Sequence, residues 1–299
     1  MNQRTAAVIV THFPNQHKLT NLVRKSANQL ELVLVVDNGS TTPIETWLEG
    51  MGRTVTLIKL GDNLGIARAQ NVGIDRARGF GFDYVVLFDQ DSDPELDTLL
   101  NLTNALTGLL KKHKQVACVG PHYVDKRQNS PTPFIRVEGL SLVRKSCSSQ
   151  TDIVPVDHLI ASGSVIPLKT LDVVGGMKEE LFIDYVDLEW CERAMFMGYQ
   201  AYGVCAAKME HALGDDPISF LGVAYPARSS LRHYYMFRNA IWMYRQGYVR
   251  WNWKVVDGLR LLRKYVFYTL FAERRHVHFW MMTKGIWHGL IGKMGRYQG

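Results

Sequence analysis

Five short, largely apolar runs recur in the first 120 residues: AAVIV (6–10), LVLVV (32–36), VTLIKL (55–60), YVVLF (84–88) and VACVG (116–120). Helix-like stretches at 15–29, 43–51, 65–79 and 94–114 separate them. A strand that faces solvent on one side alternates apolar and polar residues. A strand that is apolar along its length needs cover on both faces. Strand–helix alternation of that kind predicts an α/β fold with a mostly parallel central sheet and helices on both faces. Pro94, after Ser92 and Asp93, reads as the start of the fourth helix.

The rhythm then breaks. Residues 122–157 are polar, contain Pro131 and Pro133, and leave room for a short hairpin. HLIASGSVIPL (158–168) reads as a strand pair or a strand with a Gly-Ser bulge. A helix is expected from about Asp187 to Gly198, then extended chain through YQAYGVCAAKMEHA. From Arg228 the pattern is helical. The expected division is a body at 1–227, split into halves 1–121 and 122–227, and a helical extension at 228–299.

Charge separates the same two parts. Residues 228–299 hold 14 Lys and Arg against Asp257 and Glu273, a net of +12, which leaves −5 of the total +7 for the rest. A basic, aromatic tail on an acidic body points to an anionic partner. YVFYTLFA (265–272) is among its longest apolar runs, far short of the roughly 20 residues a membrane span needs. Leu259, Leu262, Val266 and Leu270 fit one helical face. Arg260, Arg263 and Lys264 are expected beside or opposite it. Trp251, Trp253, Tyr265, Trp280 and Trp287 are candidate anchors on an anionic membrane surface. No nucleic-acid module is recognisable, so nucleic acid is not expected as a partner. The oligomeric state is left open.

Cys118, Cys147, Cys191 and Cys205 are scattered and form no CxxC pair. Structural zinc and a disulfide framework are therefore not expected, and a reducing cytoplasm fits. MNQRTAAVIVTHFP reads as a first strand and not as a signal peptide.

Polar residues fall where the first four strands should end: Thr11-His12, Asp37-Asn38-Gly39-Ser40, Asp62-Asn63, and Asp89-Gln90-Asp91-Ser92. Each cluster alone is an ordinary turn or cap. In an open parallel sheet all four would share one rim, where ligands bind. Asp89 and Asp91, two apart in extended chain, would point the same way. Paired hard carboxylates suit Mg²⁺ or Mn²⁺, and with it a diphosphate partner. GDNLGIARAQNVGIDRA (61–77) opens a helix with Asn63 and Gly65 at its start and Arg68 on its first turns, an arrangement that can hold a phosphate or order a nucleotide. It is neither GxGxxG nor a Walker A loop. In ELFIDYVDLEWCERA (180–194), carboxylates sit among bulky apolar residues, which can raise a carboxylate toward general-base duty. His211, near a paired-carboxylate motif, is a candidate metal or phosphate contact.

Taken in order, VVDNGS, DNLGIARAQNVGI, FDQDS and ELFIDYVDLEW resemble glycosyltransferase family 2 and its GT-A nucleotide-diphospho-sugar transferase fold over roughly residues 5–245. FDQDS and FIDYVD are most similar to its bacterial rhamnosyltransferase branch, which builds O-antigen-type glycans and rhamnolipids. The resemblance implies an inverting transfer of L-rhamnose from dTDP-β-L-rhamnose to a lipid-linked or polysaccharide acceptor. The setting it implies is cytoplasmic, peripheral on the inner face of the membrane. It implies base and ribose contacts from Thr11, Asp37 and Asn38, with Asn63, Arg68 and Asn71 shaping the nucleotide pocket. Asp89, Gln90 and Asp91 match the DxD segment, with Asp91 the metal ligand above all and Asp89 and His211 beside it. Asp187 matches the base. Arg238-Asn239, in YYMFRNAIW, matches a recurring pair expected to contact the leaving group or to pack. Many members carry Glu-Asp where this chain has Val186-Asp187, and Asp184 is the alternative base. Three other readings are a family 2 enzyme with another donor such as a UDP-hexose, a nucleotidyltransferase, and a non-catalytic membrane-surface or nucleic-acid binder. The nucleotidyltransferase is disfavoured because VIVTHFPNQHK offers no basic, Gly-rich loop.

Overall fold

The computed structural model describes residues 3–125, 130–210, 218–220, 223–225 and 229–299. The alternating half forms β1 (Thr5–Thr11), α1 (Gln16–Ala27), β2 (Leu32–Asp37), α2 (Ile44–Leu48), β3 (Val55–Lys59), α3 (Ile66–Gly79), β4 (Tyr84–Asp89), β5 (Asp93–Pro94) and α4 (Thr98–Lys111). The second half adds β6 (Val116–Asp125), β7 (Ser130–Pro131), β8 (Phe134–Glu138), β9 (Ser141–Lys145), β10 (Ile153–Val156), β11 (Val165–Pro167), α5 (Leu168–Val174), α6 (Val186–Phe196), β12 (Gln200–Glu210), β13 (Ile218–Phe220) and β14 (Val223–Tyr225). Three helices close the chain: α7 (Ser230–Tyr244), α8 (Trp251–Phe271) and α9 (Arg275–Ile291).

Among the described residues the main sheet runs β10-β12-β6-β11-β4-β1-β2-β3, with β5 on β12 and β7 on β6. Strands β3, β2, β1 and β4 are parallel, and β6 is parallel to β12. Strand β11 enters between β4 and β6 in the opposite sense. The apolar runs explain the two-sided cover. Val8, Leu34, Val85 and Leu87 face one core with Ile74, Leu171 and Trp190. Ile9, Val33, Val35 and Val86 face the other with Leu19, Leu22, Leu102 and Leu106. A third core, from α7, α8 and α9, also takes in Val137 and Tyr185.

Two expectations need correcting. Pro94 does not open a helix: Asp93–Pro94 pairs with Met209–Glu210 of β12, and α4 begins at Thr98 after its N-cap Asp97. The missing Pro N–H is harmless in a two-residue bridge, where a longer strand would have needed it. Cys147 and Cys205 are joined in a disulfide. They are 58 residues apart, but β10 pairs with β12 beside Cys205, so the fold brings together what spacing separates. The cysteine pattern therefore no longer argues for a reducing compartment. Cys118 and Cys191 are free and buried.

Candidate active site

The ends of β1, β2 and β4 converge by register. Thr11 stands opposite Asp37, and Val10 opposite Asp89. Thr11 Oγ1 donates to Asp37 Oδ1 at 3.3 Å, and the Ser40 amide and hydroxyl also donate to Asp37. Asn38 Nδ2 donates to Asn63 Oδ1 at 3.1 Å, while Asn38 Oδ1 accepts from the Leu64 amide at 2.8 Å. The Gln90 side chain accepts from the His12 amide at 2.7 Å, which ties β1 to β4. The His12 ring bridges the same rim, with Nδ1 3.0 Å from Asn38 O and Nε2 3.2 Å from Asn63 Nδ2. If Nδ2 donates to Nε2, then Nδ1 carries the proton and donates to the carbonyl, so one neutral tautomer satisfies both contacts. Gly39 holds the turn between: at φ +82°, a Cβ would lie 2.5 Å from the Asp62 carbonyl carbon.

This rim is one side of a cleft of about 760 Å³. Thr11, Asn38, Asn63, Asp89, Gln90, Asp91 and Asp187 all line it, and Asp37 sits buried just behind. His12, Asp184 and Arg232 line it too. His12 was legible at the strand end. Arg232 carried no signal, because its place depends on how α7 packs.

Asp187 lies in the first turn of α6, and its Oδ1 accepts the Leu188 amide at 2.9 Å. Burial outweighs that bond and, with the charge of Asp89, raises its pKa to about 6. Asp89 is also raised to about 6, by burial first and the neighbouring Asp91 second, with Arg232 opposing. Asp184, the other candidate base, is engaged: Arg232 grips both its oxygens at 2.7 Å.

The segment before Asp187 is strained. Phe182, Asp184 and Tyr185 all have φ between +63° and +65°, a region L residues with side chains seldom adopt. Buried contacts hold it there. Asn239 Nδ2 reaches the carbonyls of Leu181, Ile183 and Asp184 at 2.8–2.9 Å, and Arg238 Nη2 reaches Leu181 O at 2.9 Å. Phe182 O accepts from the Ile66 amide at 2.8 Å, at the first turn of α3. Gly65 permits that approach: a Cβ there would meet Phe182 Cδ2 at 2.6 Å.

Three residues expected at the nucleotide lie away from the cleft wall. The first amide of α3 is taken by Phe182 rather than offered to a phosphate. Arg68 pairs with Glu179 at 3.0 Å. Asn71 binds Met177 N and O and Glu179, so it fastens the chain leading into the strained segment. Arg238 is fully buried with its neighbour Asn239, and both brace backbone. Of the two roles expected for that pair, the geometry matches packing. His211 lies outside the described residues.

The donor set fits a divalent ion. Asp89 and Asp91 offer hard oxygens, and their mutual repulsion is what a cation relieves. Among the described residues no cluster of three or more His, Cys, Asp or Glu could hold a metal. The remaining positions would fall to water and ligand phosphate, as Mg²⁺ prefers.

The tail supplies the far wall. Trp253, Val256, Asp257, Arg260 and Lys264 of α8 line the cleft, with Ile135, Val137 and Leu142 of the β8–β9 hairpin. Trp253 is 3% exposed and Tyr265 bonds Thr283, so neither is a surface anchor. Arg260 and Lys264 face the cleft rather than flank an outer stripe.

Comparison with known proteins agrees with this geometry. Residues 7–152 match the family model described as glycosyl transferase family 2. A dTDP-rhamnosyl transferase of Shigella flexneri, RfbF, is 33% identical over 251 residues, covering 83% of this chain and 82% of its own. Among solved structures, GalNAc-T7 with UDP, GalNAc and Mn²⁺ superposes with a TM-score of 0.61 at 12% identity. That match covers 82% of this chain and 49% of its own, so this chain spans about half its length. S. aureus TarS 1-349 in complex with UDP-GlcNAc gives a TM-score of 0.57 at 13% identity, covering 96% and 81%. Those two likenesses establish the GT-A architecture, and the identity and coverage shared with RfbF establish that this chain belongs to glycosyltransferase family 2.

Proposed function

We propose that this glycosyltransferase moves L-rhamnose from dTDP-β-L-rhamnose to a hydroxyl of a lipid-linked or polysaccharide acceptor, with inversion at the anomeric carbon. The observation that carries it is Asp187: a desolvated carboxylate on the same cleft as Asp89, Asp91 and the strand-end rim, while its neighbour Asp184 is held by Arg232. The donor assignment rests on the likeness to RfbF and on the FDQDS and FIDYVD segments.

In this reading Thr11, Asp37, Asn38 and Asn63 shape the nucleoside pocket, and Asp89, Gln90 and Asp91 face the diphosphate. Asp187 accepts the acceptor hydroxyl proton. The freed oxygen forms a bond to C1 as the bond from C1 to the diphosphate oxygen breaks, releasing dTDP and giving an α-L-rhamnoside. Mg²⁺ or Mn²⁺, held by Asp91 and Asp89 when bound, would offset charge on the departing diphosphate. Thermal denaturation with sugar nucleotides and Mn²⁺ tests the donor. A ligand at 100 times its Kd adds about 2.7 kcal/mol. The reading expects dTDP-rhamnose to stabilise most; a preference for a UDP-hexose would discard rhamnose.

The membrane partner rests on the outer face of α8. Leu259, Leu262 and Leu270 are each more than half exposed, as are Trp251 and Trp280 on α8 and α9. Arg263 stands among them, and the tail carries the +12 charge. Among the described residues no helix is long and apolar enough to cross a membrane. An apolar stripe within a basic segment suits an anionic bilayer surface, which we place on the cytoplasmic side. Liposome flotation tests it: Leu259→Glu with Leu262→Glu should abolish binding to anionic vesicles, and unchanged flotation would remove the membrane from the account.

A further inference from the structure

His158 belongs to the segment between β10 and β11, which runs along the cleft from the β8–β9 hairpin toward the DxD segment. Asp157, just before it, is fixed to that hairpin and to α8. The Asp157 amide donates to Ile135 O at 3.2 Å, and its Oδ2 accepts from the Val137 amide at 2.6 Å and from Arg250 Nη2 at 2.9 Å. At the other end, Ser162 Oγ lies 2.5 Å from Ser92 Oγ. His158 and Ile160 line the cleft, whereas Asp157 and Leu159 are buried. These bonds seat His158 on the hairpin and α8 side, away from the strand-end rim.

The His158 ring makes no hydrogen bond among the described residues. Its Nδ1 is enclosed and its Nε2 is not. Burial lowers its pKa to about 4, so at neutral pH the ring is neutral and carries one N–H. An N–H shut away without an acceptor costs more than a bare lone pair. The proton therefore belongs on Nε2, which becomes a donor open to the cleft.

Asp257 supplies the complementary atom. Its Oδ2 accepts from the Tyr185 hydroxyl at 2.8 Å and the Tyr244 hydroxyl at 2.7 Å. Its Oδ1 is neither enclosed nor bonded among the described residues. Arg250, Trp253 and Asp257 follow the i, i+3, i+7 spacing of one face of α8, and Trp253 and Asp257 line the cleft. Arg250 thus ties this face to the residue before His158, and Tyr185 ties Asp257 to the chain two residues before Asp187.

In-line displacement brings the acceptor in opposite the departing diphosphate. With the diphosphate at Asp89 and Asp91, the wall of hairpin and α8 is left to the acceptor. An open carboxylate repels a phosphate there. An open donor and an open acceptor together suit neighbouring hydroxyls, since a hydroxyl can both accept and donate. Ile135, Val137 and Trp253 line the same wall and suit the C–H face of a sugar ring. We propose that His158 and Asp257 bind neighbouring hydroxyls of the acceptor sugar ring that receives the new residue, with His158 Nε2 donating and Asp257 Oδ1 accepting. This rests on the reading of the cleft as a glycosyl-transfer site.

The test is saturation-transfer NMR titration of the full chain, saturated with dTDP and Mg²⁺. The probes are the methyl pyranosides of L-rhamnose, D-glucose, D-galactose and N-acetyl-D-glucosamine, with cyclohexanol as a ring that lacks neighbouring hydroxyls. At least one pyranoside should bind with dTDP present, and about tenfold more tightly than cyclohexanol. H158F should weaken that pyranoside about fivefold and D257N about tenfold, a charged partner being the stronger. H158Q, whose amide keeps a donor near the Nε2 position, should stay within twofold of the native protein. Cyclohexanol and dTDP should change less than twofold in all three variants, which separates a lost hydrogen bond from a damaged fold. Pyranoside affinity unchanged in both H158F and D257N overturns the proposal, as does a panel in which no pyranoside exceeds cyclohexanol. Loss of dTDP-rhamnose affinity in H158F with dTDP affinity retained also overturns it, because His158 would then serve the donor sugar. Failure of dTDP to bind the native protein is read in its own titration and counts against the donor reading. The pyranoside comparison, repeated without nucleotide, still decides the subsite.

Discussion

On the donor side of the cleft, Thr11, Asp37, Asn38, Asn63 and Gln90 come from the ends of adjacent strands and are bonded largely to one another and to His12 and Ser40. On the acceptor side, Asp187 follows a loop with three residues at positive φ, braced by Arg238 and Asn239 nearly sixty residues downstream and walled by α8. The first wall is a by-product of sheet register: any sequence that pairs β1 with β2 and β4 in this way puts those residues together. The second is assembled by long-range packing and stores strain, so its geometry depends on groups that never touch substrate.

The comparison breaks most visibly at Asp187. Asp187→Asn should cut transfer by about a thousandfold, within the range general bases supply, and leave dTDP affinity within twofold. Near-normal turnover would remove Asp187 from its role. Asn239→Ala comes next. It leaves carbonyls of the strained segment without their shared donor, which should cost about 2–4 kcal/mol. Steady-state kinetics should then show a lower kcat with donor affinity retained. Loss of donor affinity instead would mean the pair serves the donor side.

The pH dependence separates stability from activity. The pKa values of Asp89 and Asp187 are raised to about 6 from an ordinary 3.8. Between those values the folded protein binds more protons than the unfolded chain. Stability from these two groups is therefore fully present below about pH 4 and is lost as pH rises through about 6. Activity runs the other way, because the base must be ionised. Without metal, Tm should rise from pH 7 to 5 relative to Asp89→Asn/Asp187→Asn; in separate assays with metal present, kcat/KM should fall roughly tenfold per pH unit below 6 as Asp187 is protonated. Parallel profiles would contradict the buried-carboxylate account. The smallest effect is expected from Arg68→Ala. An exposed ion pair contributes about 0–1 kcal/mol, and donor affinity should change less than twofold. A tenfold loss would return Arg68 to the nucleotide pocket.

How much of this could be read from the chain follows the same division. Apolar runs ending in polar clusters located the parallel sheet and its rim, because strand period and strand ends are local properties. Asp187 was visible through its motif. The roles of Arg238 and Asn239 were not, since an Arg-Asn pair in a helix says nothing about which carbonyls it will meet. Trp253, Arg260 and Lys264 read as surface residues of an amphipathic helix; only tertiary packing decides which face of α8 meets the cleft. The Cys147–Cys205 bond and the bridge at Pro94 likewise depend on β12 reaching its partners.

The most direct test of the central claim is the anomeric configuration of the first-formed product, followed by NMR as dTDP-β-L-rhamnose is consumed. A single displacement aided by Asp187 predicts an α-L-rhamnoside. A β-linked product formed at the outset would require two displacements and would contradict the account.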